Sequence, residues 1–339
     1  LSSSSAASDV YKRQHLRFNL ESLISDGEER GIIKALVVGD RQELSRELKT
    51  TYVTAGIFHV LAVSGLHVGM MYLVIMFFIR FIPGSYAKLT FLVLALTLYA
   101  CLTGLSTSVI RASVMFGFFG YAAIKQKNTS SINVLFASCF IILVFKPNFL
   151  FESGFQLSIS AVLGILLFFR EIESWFVFNN KVLDKIWSLA SVSIAAQILT
   201  TPLILYYFHQ FPSYFILINV VVVFFIQFAL IFGCFAASLG HFFGVGWFFA
   251  KISEGICWAI NQMATQVSNW PMSRVLGVHL ELKQVFLLLT AILCMYWLMT
   301  YKKRIFFYVS VFSMLCFVAI SGNRYLTYSC LLYTSPSPR

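Results

Sequence analysis

The stretch Ala55-Gly56-Ile57-Phe58-His59-Val60-Leu61-Ala62-Val63-Ser64-Gly65-Leu66-His67-Val68-Gly69-Met70-Met71 opens an apolar run that continues to Ile82. The run is long enough to span a bilayer, for which a helix needs roughly 17–25 apolar residues. It nevertheless carries His59, Ser64 and His67, with glycines at 56, 65 and 69. Polar groups at membrane depth are costly and face a partner, a cavity or a substrate path. Glycines let a second backbone approach closely or let the helix break. A segment that only anchored the chain would need neither, so the sequence places function inside the membrane.

The composition agrees with a membrane setting. Of 339 residues, 59% are hydrophobic and 12% charged, against roughly 45–50% and about 25% in soluble domains. Continuous apolar runs, rather than short alternating strands, predict an all-α polytopic membrane protein and not a β-barrel. Residues 1–14 and 330–339 resemble translated adapter sequence and are set aside from fold reasoning. Without them the net charge falls from +11 to about +9, a balance that Lys- and Arg-rich cytoplasmic loops explain without nucleic acid. The seven cysteines are scattered, with no Cys-x-x-Cys pair, so neither a disulfide framework, a zinc site nor any cofactor is expected.

The chain divides into a foreign tail (1–14), an extracytoplasmic or interfacial helical lead-in (15–53), a transmembrane domain (54–321) and a truncated end (322–339). Glu28–Val38 has helical character ended by Gly39-Asp40. Asp40 with Glu43 resembles a capping box that would open a second helix from Arg41 to about Tyr52. Apolar runs follow at about 55–82, 86–104, 107–124, 130–146, 149–169, 187–208, 213–240, 242–270, 283–301 and 305–320, predicting a bundle of eight to ten transmembrane helices. The run at 242–270 carries Lys251, Glu254, Asn261 and Gln262 and is the weakest. Strict alternation puts Arg80, Lys88, Lys125, Lys127, Arg170, Lys181, Lys185, Lys302, Lys303 and Arg304 on one side. That side is expected to be cytoplasmic, with residues 15–53 outside and 242–270 counted as a crossing. The connector 171–186 reads as an amphipathic cytoplasmic helix.

Several polar positions stand out. His59 and His67 are about 12 Å apart on a continuous helix, too far to share a metal, whereas Ser64 and His67 share a face. Packing of small and polar residues against neighbouring helices explains them as readily as a transport path does. Thr103-Gly104-Leu105-Ser106-Thr107-Ser108 is a turn at a helix N-terminus, a setting suited to phosphate. Arg111 follows one turn later and must snorkel, meet an acid or bind an anion. Glu152, at the start of a later span on the same side, is its candidate partner, with Gln156 one turn deeper. Gln197 and Asn219 add polar positions at depth, and Pro202 a kink.

These residues, in this order, resemble the membrane-embedded competence domain of the ComEC family of bacterial DNA-uptake channels. The resemblance runs from Ala35-Leu36-Val37-Val38-Gly39-Asp40-Arg41 through His59–Gly69, Thr103-Gly104 with Ser108-Val109-Ile110-Arg111-Ala112, and Gly154-Phe155-Gln156-Leu157-Ser158, to Gln197, Thr201-Pro202-Leu203 and Asn219. It implies a bacterial inner-membrane channel that passes one strand of DNA inward during natural transformation. Its partners would be single-stranded DNA, membrane lipids, a DNA receptor and a cytoplasmic helicase, with an oligomer allowed. Family members carry an extracytoplasmic OB-like domain and often a nuclease domain with a His-x-His-x-Asp-His motif, which is absent here. Glu152 stands where aspartate is expected. On this reading Ser64, Gly65, His67, Thr103, Gly104, Ser108, Arg111, Glu152, Gln156, Gln197 and Asn219 line or brace the path, with no catalytic residue. Two alternatives stand beside it. One is a small-solute transporter. The other is an intramembrane serine hydrolase using Ser64, because Ala62-Val63-Ser64-Gly65 resembles the Gly-x-Ser-Gly of rhomboid proteases.

Overall fold

A computed structural model describes residues 14–61, 64–126, 129–240 and 242–334, without the side chains of 243 and 324–334. The chain is a helical bundle. A lead-in of three helices, α1 (14–23), α2 (Glu28–Val37) and α3 (Arg46–Ala55), precedes α4 (Gly65–Ile79), α5 (Ser85–Leu102), α6 (Thr107–Ile124) and α7 (Ser131–Phe145). After these come α8 (Ser153–Glu173), α9 (Lys181–Phe208), α10 (Phe215–Leu239), α11 (Val245–Ser268), α12 (Leu282–Tyr301) and α13 (Arg304–Thr334). Seven of the described helices are long and apolar enough to cross a membrane, and α4 and α7 are shorter apolar helices of 15 residues. The chain is therefore a multi-pass helical membrane protein. Two short strands missed in the sequence, β1 (Gln210–Pro212) and β2 (Arg274–Leu276), pair antiparallel and tie the α9–α10 connection to the α11–α12 connection.

The first apolar run is broken, as its glycines allow. Gly56 ends α3 in the left-handed region, and a single 3-10 turn covers Phe58–Val60. Helix α4 begins only at Gly65; Ala62 and Val63 lie outside the described residues. At about 1.5 Å per residue, α4 is about 22 Å long, short of the roughly 30 Å hydrocarbon core. A crossing that includes α4 would need the segment before it as well. Non-helical backbone is tolerated at that depth only where protein covers it, and Ile57, Val60 and Leu61 are almost wholly buried.

Two local expectations are corrected. The second lead-in helix starts at Arg46, because Ser45 caps it by accepting from the Leu48 amide at 3.0 Å. Asp40 instead accepts from the Gln42 amide in its own turn, at 3.1 Å. The connector 171–186 is no separate helix: α8 runs on to Glu173, and Asn180 caps α9 through the Val182 amide at 2.8 Å.

The lead-in packs as core. Leu20, Ile32, Ile33, Leu36 and Tyr52 are fully buried against Ile218, Val222, Ile226, Ala229 and Leu230 of α10 and Ala250, Cys257 and Ala264 of α11. Lys34, almost inaccessible, bonds Glu21 and Glu43 at 2.5 Å each, and Arg30 pairs with Asp26 and Glu43. Burial raises the Glu43 pKa, but the hydrogen bond and charge of Lys34, with Arg30 behind, outweigh it and hold the group below its usual value. A depressed carboxyl pKa contributes stability above the usual carboxylate range, lost as pH falls through the depressed value.

Exposed charges flank this core. The Asp26 side chain, in the α1–α2 connection, is 86% exposed, that of Glu21 on α1 44% and that of Lys251 on α11 40%. Hydrocarbon does not accept such charges. The opposite face of α10 exposes Phe224, Phe225, Phe228 and Phe235, a lipid-facing surface. Gly233 meets Val37, and two residues on Gly39 meets Thr103 at the end of α5. Of this helix pair α10 has the length and hydropathy of a crossing helix, while α11, the run at 242–270, is not among the seven.

In a cysteine-free background, Val245→Cys is expected to react with a membrane-impermeant maleimide from the same side as Phe176→Cys, with Gln42→Cys reacting from the other, as a crossing by α10 requires. Labelling of Val245→Cys together with Gln42→Cys would put both ends of α10 on one face.

Candidate functional site

Three helices begin close together at one end of the bundle. Gly65, first in α4, leaves room for Ala112 of α6, at an ordinary van der Waals distance of 3.6 Å from the position of an added Cβ. Arg111, beside Ala112, donates from Nη2 to the Gly154 carbonyl in the first turn of α8, at 2.9 Å. Helix N-termini carry free amides and partial positive charge, so the convergence of α4, α6 and α8 makes this end electropositive.

Arg111 sits at the centre of it. The residue is 7% exposed, and its guanidinium lies 5.3 Å from the centroid of the buried Phe155 ring. Nε and Nη1 have no acceptor among the described residues. The expected ion pair with Glu152 is not formed: Glu152 is exposed and no carboxylate lies within 4.0 Å of Arg111. The physical reason is local. Glu152 joins the 3-10 turn Pro147–Phe151 to α8 in extended backbone, which turns its side chain outward and leaves the Gly154 carbonyl to meet the arginine. Ser113 Oγ is likewise buried without a partner.

The Ser64–His67 pair is a helix cap. The Ser64 amide donates to His67 Nδ1 at 3.1 Å, while Ser64 Oγ lies 3.5 Å from the same nitrogen. That bond fixes the proton on Nε2, which is buried without a partner. A general base needs its lone pair free for the nucleophile's proton, and here the amide takes it.

The remaining sequence candidates separate. Thr103 is buried and its hydroxyl bonds back to the Tyr99 and Ala100 carbonyls. Gly104, with φ 84°, turns the chain into α6. Ser106, rather than Ser108, caps α6 through the Val109 amide at 3.4 Å. Gln156 donates to the Leu150 carbonyl at 2.9 Å and accepts from Tyr207 at 2.8 Å, bracing α8 against α9. Gln197 makes only a local contact with Thr200, and Asn219 Oδ1, on α10, is buried and unpartnered. Neither joins the Arg111 cluster by any contact. Among the described residues no group of three metal-ligating side chains occurs.

A cleft of about 630 Å³ opens at the same end, lined by Arg17, Gly39, Asp40, Arg41, Gln42, Thr103, Gly104 and Ser106. Its two walls touch where Gly39, with φ 71°, lies on the Thr103 carbonyl, a place where any Cβ would collide with backbone. Sequence reading missed Arg17, Arg41 and Gln42 here. The signal was present as two glycine-centred turns, Gly39-Asp40 and Thr103-Gly104, but nothing in one sequence says that they meet.

The geometry defines a class: a polytopic membrane protein whose polar groups gather where broken helices begin. The chain belongs to the competence protein family, whose model matches residues 36–304. It is 32% identical over 301 residues to ComE operon protein 3 of Bacillus subtilis, covering 86% of this chain and 37% of that protein. It is 28% identical over 192 residues to recombination protein 2 of Haemophilus influenzae, covering 53% and 24%. The chain thus spans well under half the length of these relatives. No solved structure matches it significantly.

Replacing Gly39 by Ala is expected to cost about 1–3 kcal/mol, from left-handed strain together with the Thr103 collision. Gly84→Ala, with similar φ and open space around it, should cost only the strain. Apparent unfolding temperatures in detergent check the order; equal losses would remove the turn-to-turn contact from the account.

Proposed function

We propose that this chain is the membrane-embedded part of a channel that carries single-stranded DNA inward across the bacterial cytoplasmic membrane during natural transformation. The observation that carries the reading is the Arg111 guanidinium, buried where three helix N-termini converge, with two donors unused. An arginine stays charged in proteins, and a buried charge with spare donors is stable only if an anion or water completes its shell. Phosphodiesters are such anions, and guanidinium binds them with directed hydrogen bonds. Family membership and the relatives above supply the link to competence. On the positive-inside rule the Lys- and Arg-rich connections at the opposite ends of the helices would face the cytoplasm and the Arg111 end the outside, so the strand would meet this cluster early in its passage.

The chain acts on this reading by positioning and electrostatics, with no bond made or broken in it. A DNA receptor outside and a helicase in the cytoplasm would supply strand and pull. Gln156 and Tyr207 hold the N-terminal turn of α8, and therefore the Gly154 carbonyl, against Arg111. Ser64 and His67 cap the start of α4.

The test is transformation frequency in a naturally competent host whose own channel gene is replaced by the full-length parent of this chain. Arg111→Ala, expressed at the wild-type level in membranes, is expected to lower the frequency by at least about tenfold, the order set by losing one strong phosphate contact from a limiting step. Arg111→Lys should fall between. Wild-type frequency with Arg111→Ala would sink the reading.

A further inference from the structure

We propose that the cleft between the 39–42 loop and the 103–106 turn is a phosphate-docking site for the incoming strand, with Arg41 as its free cation. This rests on the channel reading and extends it to a second site. The cleft holds three charged groups, and they are not equivalent. Asp40, 7% exposed, is engaged on both oxygens, by Arg17 and by the Gln42 amide. That leaves Arg41 with no carboxylate within 4.0 Å among the described residues. Arg17 keeps its Nε buried and without an acceptor while its other end holds Asp40. The lining is therefore cationic by one charge, and its acid is committed to shaping the loop.

The opposite wall supplies donors. Ser106, which lines this wall, caps α6 by accepting from the Val109 amide, and the Thr107 and Ser108 amides that follow it in the same turn have no backbone acceptor among the described residues. First-turn amides with a cationic side chain across an open cleft form a phosphate-sized arrangement. The volume, about 630 Å³, exceeds what one phosphate needs and admits the sugar and base that follow it. Arg111 lies five residues beyond Ser106, about 8 Å along α6 at 1.5 Å per residue. The two sites are thus consecutive steps from the surface into the bundle. A lipid headgroup shares the phosphodiester chemistry, but continuity with the Arg111 cluster favours the strand.

The experiment uses the protein in phosphatidylcholine nanodiscs and in nanodiscs with added phosphatidylglycerol, with a fluorescein-labelled oligothymidylate followed by anisotropy across a salt series. Arg41→Gln is expected to weaken binding about three- to tenfold and to make the slope of log K against log salt shallower by about 0.7, the loss of one single-strand phosphate contact. Arg41→Lys should restore the slope. Wild-type binding by Arg41→Gln, with Arg111→Gln still impaired, would overturn the docking site and leave the channel reading standing. If phosphatidylglycerol abolishes the Arg41 effect by competing for the cleft, its occupant is lipid and the proposal fails. No salt-dependent binding by the wild type would overturn both.

Discussion

The lead-in's charges are packed onto the core it shares with α10 and α11, and the rest of the architecture depends on that contact. Lys34 is buried between Glu21 and Glu43, while Asp26, in the α1–α2 connection, and Lys251, on α11, are exposed beside the same core. Such groups must remain in water or headgroups. Because α1 to α3 bury Leu20, Ile33 and Leu36 against α10 and α11, the five helices form one packed unit. Gly39 joins it to the end of α5 at Thr103, and Gly56 meets Pro212 and Phe215 where β1 leads into α10.

Helix breaks gather polar groups at this end of the bundle. A continuous first span would satisfy its own amides and present only side chains. Breaking it at Gly56 and restarting at Gly65 brings the first turn of α4 beside Ala112 in the second turn of α6, and the cost of the irregular stretch is limited because Ile57, Val60 and Leu61 are covered by protein. Helix α8 repeats the device after its 3-10 turn. Three dipoles then point their positive ends at one region, and Arg111 adds a full charge there.

Much of this was legible in the sequence, for definite reasons. Helices α5, α6, α7 and α12 fall within two residues of their apolar runs because each run is bounded by Gly, Ser, Thr or a charge that a lipid-crossing helix cannot extend through. The break in the first span was marked by its three glycines and by Ser64 and His67. What one sequence could not show was partnership. Phe215–Leu239 has the composition of a crossing helix, but no local pattern says that the lead-in packs on it. Asp40 and Glu43 have capping-box spacing, but Ser45 is the better-placed acceptor once Asp40 is drawn to Arg17. The β1–β2 pair joins segments more than sixty residues apart, beyond any local pattern.

The pairing of Arg111 with Glu152 shows most clearly where sequence logic stops. Opposite charges at the starts of two helices on one side of a membrane ought to meet, and a buried pair would neutralise both at a large desolvation cost. The chain does otherwise, giving the arginine a carbonyl and an aromatic face and leaving the acid in the open. A carbonyl and a ring lower the energy of a guanidinium without cancelling its charge. A committed salt bridge would hold the cation shut, and an anion passing it would have to displace a carboxylate. Partial satisfaction keeps Arg111 folded in place and still short of acceptors, the condition under which successive phosphates bind and leave along a path.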